Sequence, residues 1–99
     1  MKINKKQNGN ELIISLEGRL DTNTSPDLEK ELSSLDDIKK LIFDFSKLEY
    51  ISSAGLRIVL SCQKIMANQG EMIIKNANDS VKEVFEITGF ADILTIEED

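Results

Sequence analysis

The 99-residue chain carries 12 basic and 18 acidic side chains, a formal net charge of −6, and 40% of it is apolar. That length supports one domain, residues 1–99, burying roughly 60–70% of its unfolded surface, enough for a single core without staples. The negative balance argues against nucleic acid, whose phosphates need a positive surface, and against an anionic membrane; no apolar run approaches the ~20 residues of a spanning helix.

At the amino end, Met1-Lys2-Ile3-Asn4-Lys5-Lys6 is charged with no apolar stretch behind it, so no secretory signal is expected. A lone cysteine, Cys62, has no partner for an internal disulfide. Together these point to a cytoplasmic protein. Asn8-Gly9-Asn10 favours a tight turn and predicts a hairpin. Its first strand is weak, with Ile3 the only large apolar residue, and belongs at a sheet edge. Its second strand alternates at Leu12, Ile14 and Leu16 and closes at Gly18-Arg19-Leu20-Asp21.

Ser25-Pro26-Asp27 then predicts a helix start: serine as the cap, proline where no N–H is needed, aspartate against the positive helix end. Leu28, Leu32 and Leu35 recur at helical spacing as its buried stripe. After Asp36-Asp37, the dense run Leu41-Ile42-Phe43-Asp44-Phe45 predicts a strand covered on both faces. The helix that follows Ser53 carries Leu56, Val59, Leu60 and Met66 on one side and Ile58 and Ile65 on another. So wide a stripe means either the deepest helix of the three or a second face that meets a partner.

Asn68-Gln69-Gly70 ends that helix, and Met72-Ile73-Ile74 is the next strand. Asn78, Asp79 or Ser80 caps a third helix whose inner face is Val81, Val84, Phe85 and Thr88, closed by Gly89. Ile93 to Ile96 offers a last short strand before the acidic end, Glu97-Glu98-Asp99. Strands separated by helices imply crossover connections. The fold class is therefore α/β, a mixed and mostly parallel sheet with an N-terminal hairpin and about three α-helices.

Histidine is absent, which removes His-based triads and His-ligated zinc. Cys-x-x-Cys, the Gly-x-x-x-x-Gly-Lys phosphate loop and Gly-x-Gly-x-x-Gly are absent too. No catalytic residue, cofactor or metal is expected. Polar groups instead gather where strands end: Asp21, Thr22, Asn23 and Thr24 in one loop, and Glu49 to Gly55 in another. In open α/β sheets such loops are the usual ligand-facing positions. Turn stabilisation by Asp21 and Asn23, with Thr24 or Ser25 as cap, accounts for the first loop. Ser52 and Ser53 stand at a helix N-terminus, where a hydroxyl caps and free N–H groups welcome a phosphate. Local chemistry alone favours the cap. Two serines exceed what one cap needs, however, and Ala54-Gly55 removes bulk that would keep another backbone or a kinase away. Arg57 is a solvated arginine by default, within reach of an acidic group or a phosphate. Cys62 is core filler.

Over nearly its full length the chain resembles the STAS family, specifically the small bacterial anti-sigma factor antagonists. The resemblance lies in Glu17-Gly18-Arg19-Leu20-Asp21, the strand Leu41 to Phe45, Tyr50-Ile51-Ser52-Ser53-Ala54-Gly55-Leu56, Gly70-Glu71-Met72, and Val84 to Phe90. It implies a partner-switching module rather than an enzyme. Unphosphorylated, such a protein binds an anti-sigma factor that is also a serine kinase; phosphorylated, it lets go, and a serine phosphatase resets it. The acceptor two residues before the glycine falls on Ser53. Many members carry aspartate just before the acceptor; here Ser52 stands there, which makes it the runner-up acceptor. The resemblance places partner binding on Asp21, Thr22, Asn23, Ser52, Ser53, Ala54, Gly55 and Arg57. The alternative role within the family is an accessory subunit of a lipid-transport ATPase or a part of another signalling assembly.

Overall fold

Alternating apolar residues in one segment and a continuous apolar run in the next are what a sheet built inward from an exposed edge requires. In the computed structural model, which describes residues 1–33 and 35–97, they form a five-stranded sheet in the order β1-β2-β3-β4-β5. The strands are β1 (Lys2–Asn8), β2 (Glu11–Leu20), β3 (Lys40–Ile51), β4 (Glu71–Lys75) and β5 (Ile96–Glu97). β1 runs antiparallel to β2, and the remaining pairings are parallel. The hairpin turn falls at Asn8-Gly9-Asn10, where Gly9 takes a φ of 64°.

Three helices connect the parallel strands: α1 (Ser25–Glu31), α2 (Ser53–Ala67) and α3 (Asp79–Thr88), followed by a 3-10 turn at Phe90–Asp92. Strand order follows chain order, so each crossover steps in the same direction. With the usual right-handed connection, all three helices then lie on one face of the sheet. The core follows that geometry. Leu12, Ile14, Leu41, Phe43, Met72 and Ile74 pack in one cluster with Leu28, Leu56, Val59, Met66, Val81 and Phe85.

This corrects the expectation that β3 is covered on both faces. Ile42 and Ile73, cross-strand neighbours on the opposite face, are buried but lie outside that cluster. The next row down that face is Ser15, Asp44 and Lys75, each half-buried. Helices cover one side only.

Other expectations shift in detail. α1 stops at Glu31, yet Leu28, Leu32 and Leu35 are all buried, the last two from the chain beyond the helix. β5 starts at Ile96 rather than Ile93, because residues 90–92 first make a 3-10 turn. Of the acidic end, Glu98 and Asp99 lie outside the described residues. In α3, Asn78 is the cap, accepting from the Val81 amide, and Gly89 closes the helix at φ 80°. Val81 and Phe85 are buried; Thr88 is exposed and returns its hydroxyl to the Val84 carbonyl. On α2, Leu60 is only half-buried, while Ile58 and the exposed Ile65 line an open groove of about 760 Å³ against α1. Among the described residues no helix is long and apolar enough to cross a membrane.

The end of the sheet away from the strand-end loops is closed by backbone contact. The Gln69 side-chain amide donates to the Leu35 and Ile38 carbonyls at 2.6 and 2.8 Å, and the Glu71 amide to the Lys39 carbonyl at 2.9 Å. A Cβ on Gly70 would land on the Lys39 carbonyl oxygen, so this glycine is dictated by close approach of two backbones. Relief requires a main-chain shift, and Gly70→Ala should lower stability by about 2–3 kcal/mol in urea unfolding.

Candidate functional site

The carboxyl ends of β2 and β3 finish level with each other: Leu20 lies opposite Ile51, and both are buried in the core. The next amide, Ser52 N–H, donates to the Leu20 carbonyl at 2.9 Å. That bond carries the ladder one residue beyond β3 and brings the Asp21 loop beside the start of α2. The candidate residues Asp21, Thr22, Asn23, Ser52, Ser53, Ala54 and Arg57 therefore share one edge of the molecule.

The two serines divide their labour. Ser52, in extended backbone at φ −95° and ψ 174°, is the N-cap: its Oγ accepts from the Gly55 amide at 3.3 Å and its carbonyl accepts the first helical bond from Leu56 at 2.9 Å. Ser53 is the first residue of the helix proper and is exposed, and the cap does not involve its hydroxyl. The structural duty falls on Ser52, and the free hydroxyl is that of Ser53.

Gly55 corrects an expectation. It is buried, and a Cβ there would come 2.7 Å from Leu20 Cγ and 3.0 Å from Ile51 Cγ1. Its missing side chain lets α2 close onto the strand ends, and it offers no approach to another protein. Ala54 is half-buried and Arg57 exposed, one helical turn beyond Ser53.

In the other loop Asp21 takes the place expected of Ser25. Its Oδ1 accepts from the amides of Asn23 and Thr24 at 3.0 and 3.1 Å, holding the turn into α1. Thr24, at the N-cap position, makes no side-chain cap; its hydroxyl accepts from the Asp21 amide and donates to the Arg19 carbonyl, both at 2.8 Å. Ser25 is buried and donates its hydroxyl to the Asp21 carbonyl. Thr22 and Asn23 are exposed. The Thr24 amide on the carboxylate, opposed by desolvation and reinforced by the Asn23 amide, the Thr24 hydroxyl and Arg19, holds Asp21 below the ordinary value of 3.8.

Two neighbours escaped the sequence reading. The pairing of β2 with β3 slips at Gly18, which takes a φ of 106°: Gly18 faces Leu48, but Arg19 faces Tyr50, and Glu49 is the extra residue. Arg19 consequently lies over the Tyr50 ring, 4.3 Å from guanidinium carbon to centroid, with its Nε 3.9 Å from Asp21 Oδ2. Only the register puts those two residues together. Gly-Arg-Leu-Asp and Glu-Tyr-Ile were both visible, but no local pattern announces a bulge between strands some thirty residues apart.

Nothing here assembles a nucleophile with a general base. Glu49 is exposed on the bulge, and Asp44 lies on the far face, held by the Ser46 amide at 3.0 Å and the Asn76 side chain at 3.1 Å. Cys62 is buried, and desolvation pushes its thiol up to about 12. Among the described residues no group of three or more Cys, Asp or Glu is placed to hold a metal ion. The edge offers the exposed Ser53 hydroxyl at the start of α2, beside the polar groups of the Asp21 loop. That suits binding and modification.

The STAS domain family model matches residues 2–99. BtrV of Bordetella bronchiseptica, assigned as an anti-sigma factor antagonist, is 36% identical over 99 residues, covering 97% of this chain and 85% of its own. The anti-sigma-B factor antagonist of Staphylococcus aureus is 28% identical over 88 residues, covering 86% and 82%. Among solved structures, the anti-sigma factor antagonist SpoIIAA in its unphosphorylated form superposes with a TM-score of 0.85 at 20% identity, over 99% of this chain and 88% of that one. The phosphorylated form of SpoIIAA from Bacillus superposes with a TM-score of 0.78 at 19% identity, over 99% and 91%.

Two outcomes test this geometry. Ser52→Ala should lose a cap worth about 1 kcal/mol, whereas Ser53→Ala should melt with the wild type. For Asp21, a folded-state value below 3.8 means its contribution is complete above that pH and is lost as the pH falls through the lower folded value. Asp21→Asn keeps an acceptor for both amides but no charge. It should therefore flatten the acid limb of a stability–pH curve, leaving the share due to Asp44. Desolvation raises that carboxyl, but the bonds from Ser46 and Asn76 together with the Lys47 charge outweigh it, so it too is lowered.

Proposed function

The chain belongs to the STAS domain family, and on that footing we propose that it is an anti-sigma factor antagonist, a regulatory binding protein switched by phosphorylation of Ser53. Unmodified, it binds an anti-sigma factor that is also a serine kinase and so frees a sigma factor; phosphorylated, it is released, and a serine phosphatase restores it. Relatives bearing the same role support the reading, as does the existence of SpoIIAA in phosphorylated and unphosphorylated forms. Ser53 carries it: an exposed hydroxyl at the first turn of a 15-residue helix whose capping is done by its neighbour.

The mechanism follows from that position. In the kinase site Ser53 Oγ bonds to the γ-phosphorus of ATP, the bond to the β,γ-bridging oxygen breaks to release ADP, and the hydroxyl proton passes to a base of the kinase. The product carries about −1.5 to −2 charges at a helix N-terminus. The orphan N–H groups there stabilise such a charge by about 0.3–1 kcal/mol, so the fold survives modification. The cost falls on the interface, where a dianion now occupies space that fitted a neutral hydroxyl. Losing about 3 kcal/mol there weakens binding more than a hundredfold, enough for a switch. Asp21, Thr22, Asn23, Ser52, Ala54 and Arg57 frame the contact on this proposal, while Gly55 acts from beneath it.

A pull-down with wild type and Ser53→Asp, read by mass spectrometry, should recover an anti-sigma kinase with the first and lose it with the second. Recovery of a transporter ATPase in its place would move the chain to the accessory-subunit role. The recovered kinase with ATP should add one phosphate to wild type and none to Ser53→Ala. Modification persisting in Ser53→Ala but abolished in Ser52→Ala would transfer the acceptor role to Ser52.

A further inference from the structure

The chain has two arginines, Arg19 and Arg57; its ten other basic residues are lysines. Both arginines belong to the edge that holds Ser53, one at the end of β2 and one on the second turn of α2. An ammonium serves where charge alone is wanted. A guanidinium adds a planar fork that matches a carboxylate with two parallel hydrogen bonds.

Arg19 is arranged for that use. Without the slip at Gly18 it would face Glu49 and be neutralised in a cross-strand ion pair; with the slip it faces Tyr50. The ring holds the guanidinium carbon over its face at 4.3 Å, a contact that does not consume the N–H donors. Asp21 beside it already gives Oδ1 to two amides, and Oδ2 stays 3.9 Å from Nε, beyond hydrogen-bond reach. The Arg19 side chain nevertheless remains 59% exposed. It is a held, directed and unsatisfied fork.

We propose that Arg19, stacked on Tyr50, is the specificity-determining contact of this surface and takes an aspartate or glutamate side chain of the anti-sigma factor, with Arg57 as the second cation of the contact. This rests on the docking surface proposed above. Asp21 and Glu49 sit on the same edge, and the chain as a whole is at −6, so no long-range field draws an acidic partner in. The contact acts at short range, fixing register and slowing dissociation. It also joins the switch. A phosphate on Ser53 stands one helical turn from Arg57 and competes for that guanidinium, so modification opposes its pairing with a partner carboxylate.

The test uses the full chain, unphosphorylated, titrated against the recombinant anti-sigma factor recovered with it. Arg19→Glu should bind at least tenfold more weakly, a change of about 1.4 kcal/mol, while its circular-dichroism spectrum shows the fold retained. Arg19→Lys and Tyr50→Leu should fall between, since one keeps charge without the fork and the other removes the platform. Reversing one interface carboxylate of the partner to lysine should restore binding to Arg19→Glu. Wild-type affinity in Arg19→Glu overturns the inference and leaves the docking surface standing. Failure of the wild type to bind removes the docking surface and this inference together.

Discussion

One backbone hydrogen bond organises the working edge of this domain: Ser52 N–H to the Leu20 carbonyl. It ties the exit of β3 to the exit of β2 just where both strands become loops, so two polar segments thirty residues apart open onto one surface. Gly55 completes the junction by allowing α2 to settle onto Leu20 and Ile51, with no room for even a methyl group. The helix that bears Ser53 is therefore seated on the buried core rather than on a loop. A hydroxyl presented this way has a fixed position relative to Asp21 and Arg19.

The strand order explains the rest of the plan. Crossovers that all step one way leave the helices on a single face, and they begin at the same edge, where α1, α2 and α3 each have their N-termini. The opposite edge is given over to closure: Gln69 spans two carbonyls, and Gly70 lies against the backbone of Lys39. One end of the molecule is thus committed to holding the chain together and the other to presenting groups.

Much of this was written plainly in the chain. Alternation in Leu12, Ile14 and Leu16, the turn at Asn8-Gly9-Asn10 and the caps around Asn78 and Gly89 each act over a few residues, so local rules found them. Whatever depended on distant pairing was harder. The run from Leu41 to Phe45 reads as buried on both sides because it is dense in apolar residues; Ile42 is buried, but outside the core cluster, and the helices cover only the other face. Ser25 looked like a cap because serine before proline and aspartate usually is one. The loop instead let Asp21 reach two amides and drew Ser25 inward. In the candidate site, the pair of serines and Asp21 were legible as chemistry, yet which serine was spent on the cap depended on backbone angles. The Arg19–Tyr50 stack depended on a register slip that no window of sequence displays.

The separation of duties between Ser52 and Ser53 reaches beyond the interface. If esterifying Ser53 leaves the fold intact, both covalent forms resist chaperones and proteases and neither is cleared for being unfolded. The total pool then stays constant while its composition changes. A cell using such a switch would read a ratio of two forms rather than an amount that must be rebuilt by synthesis.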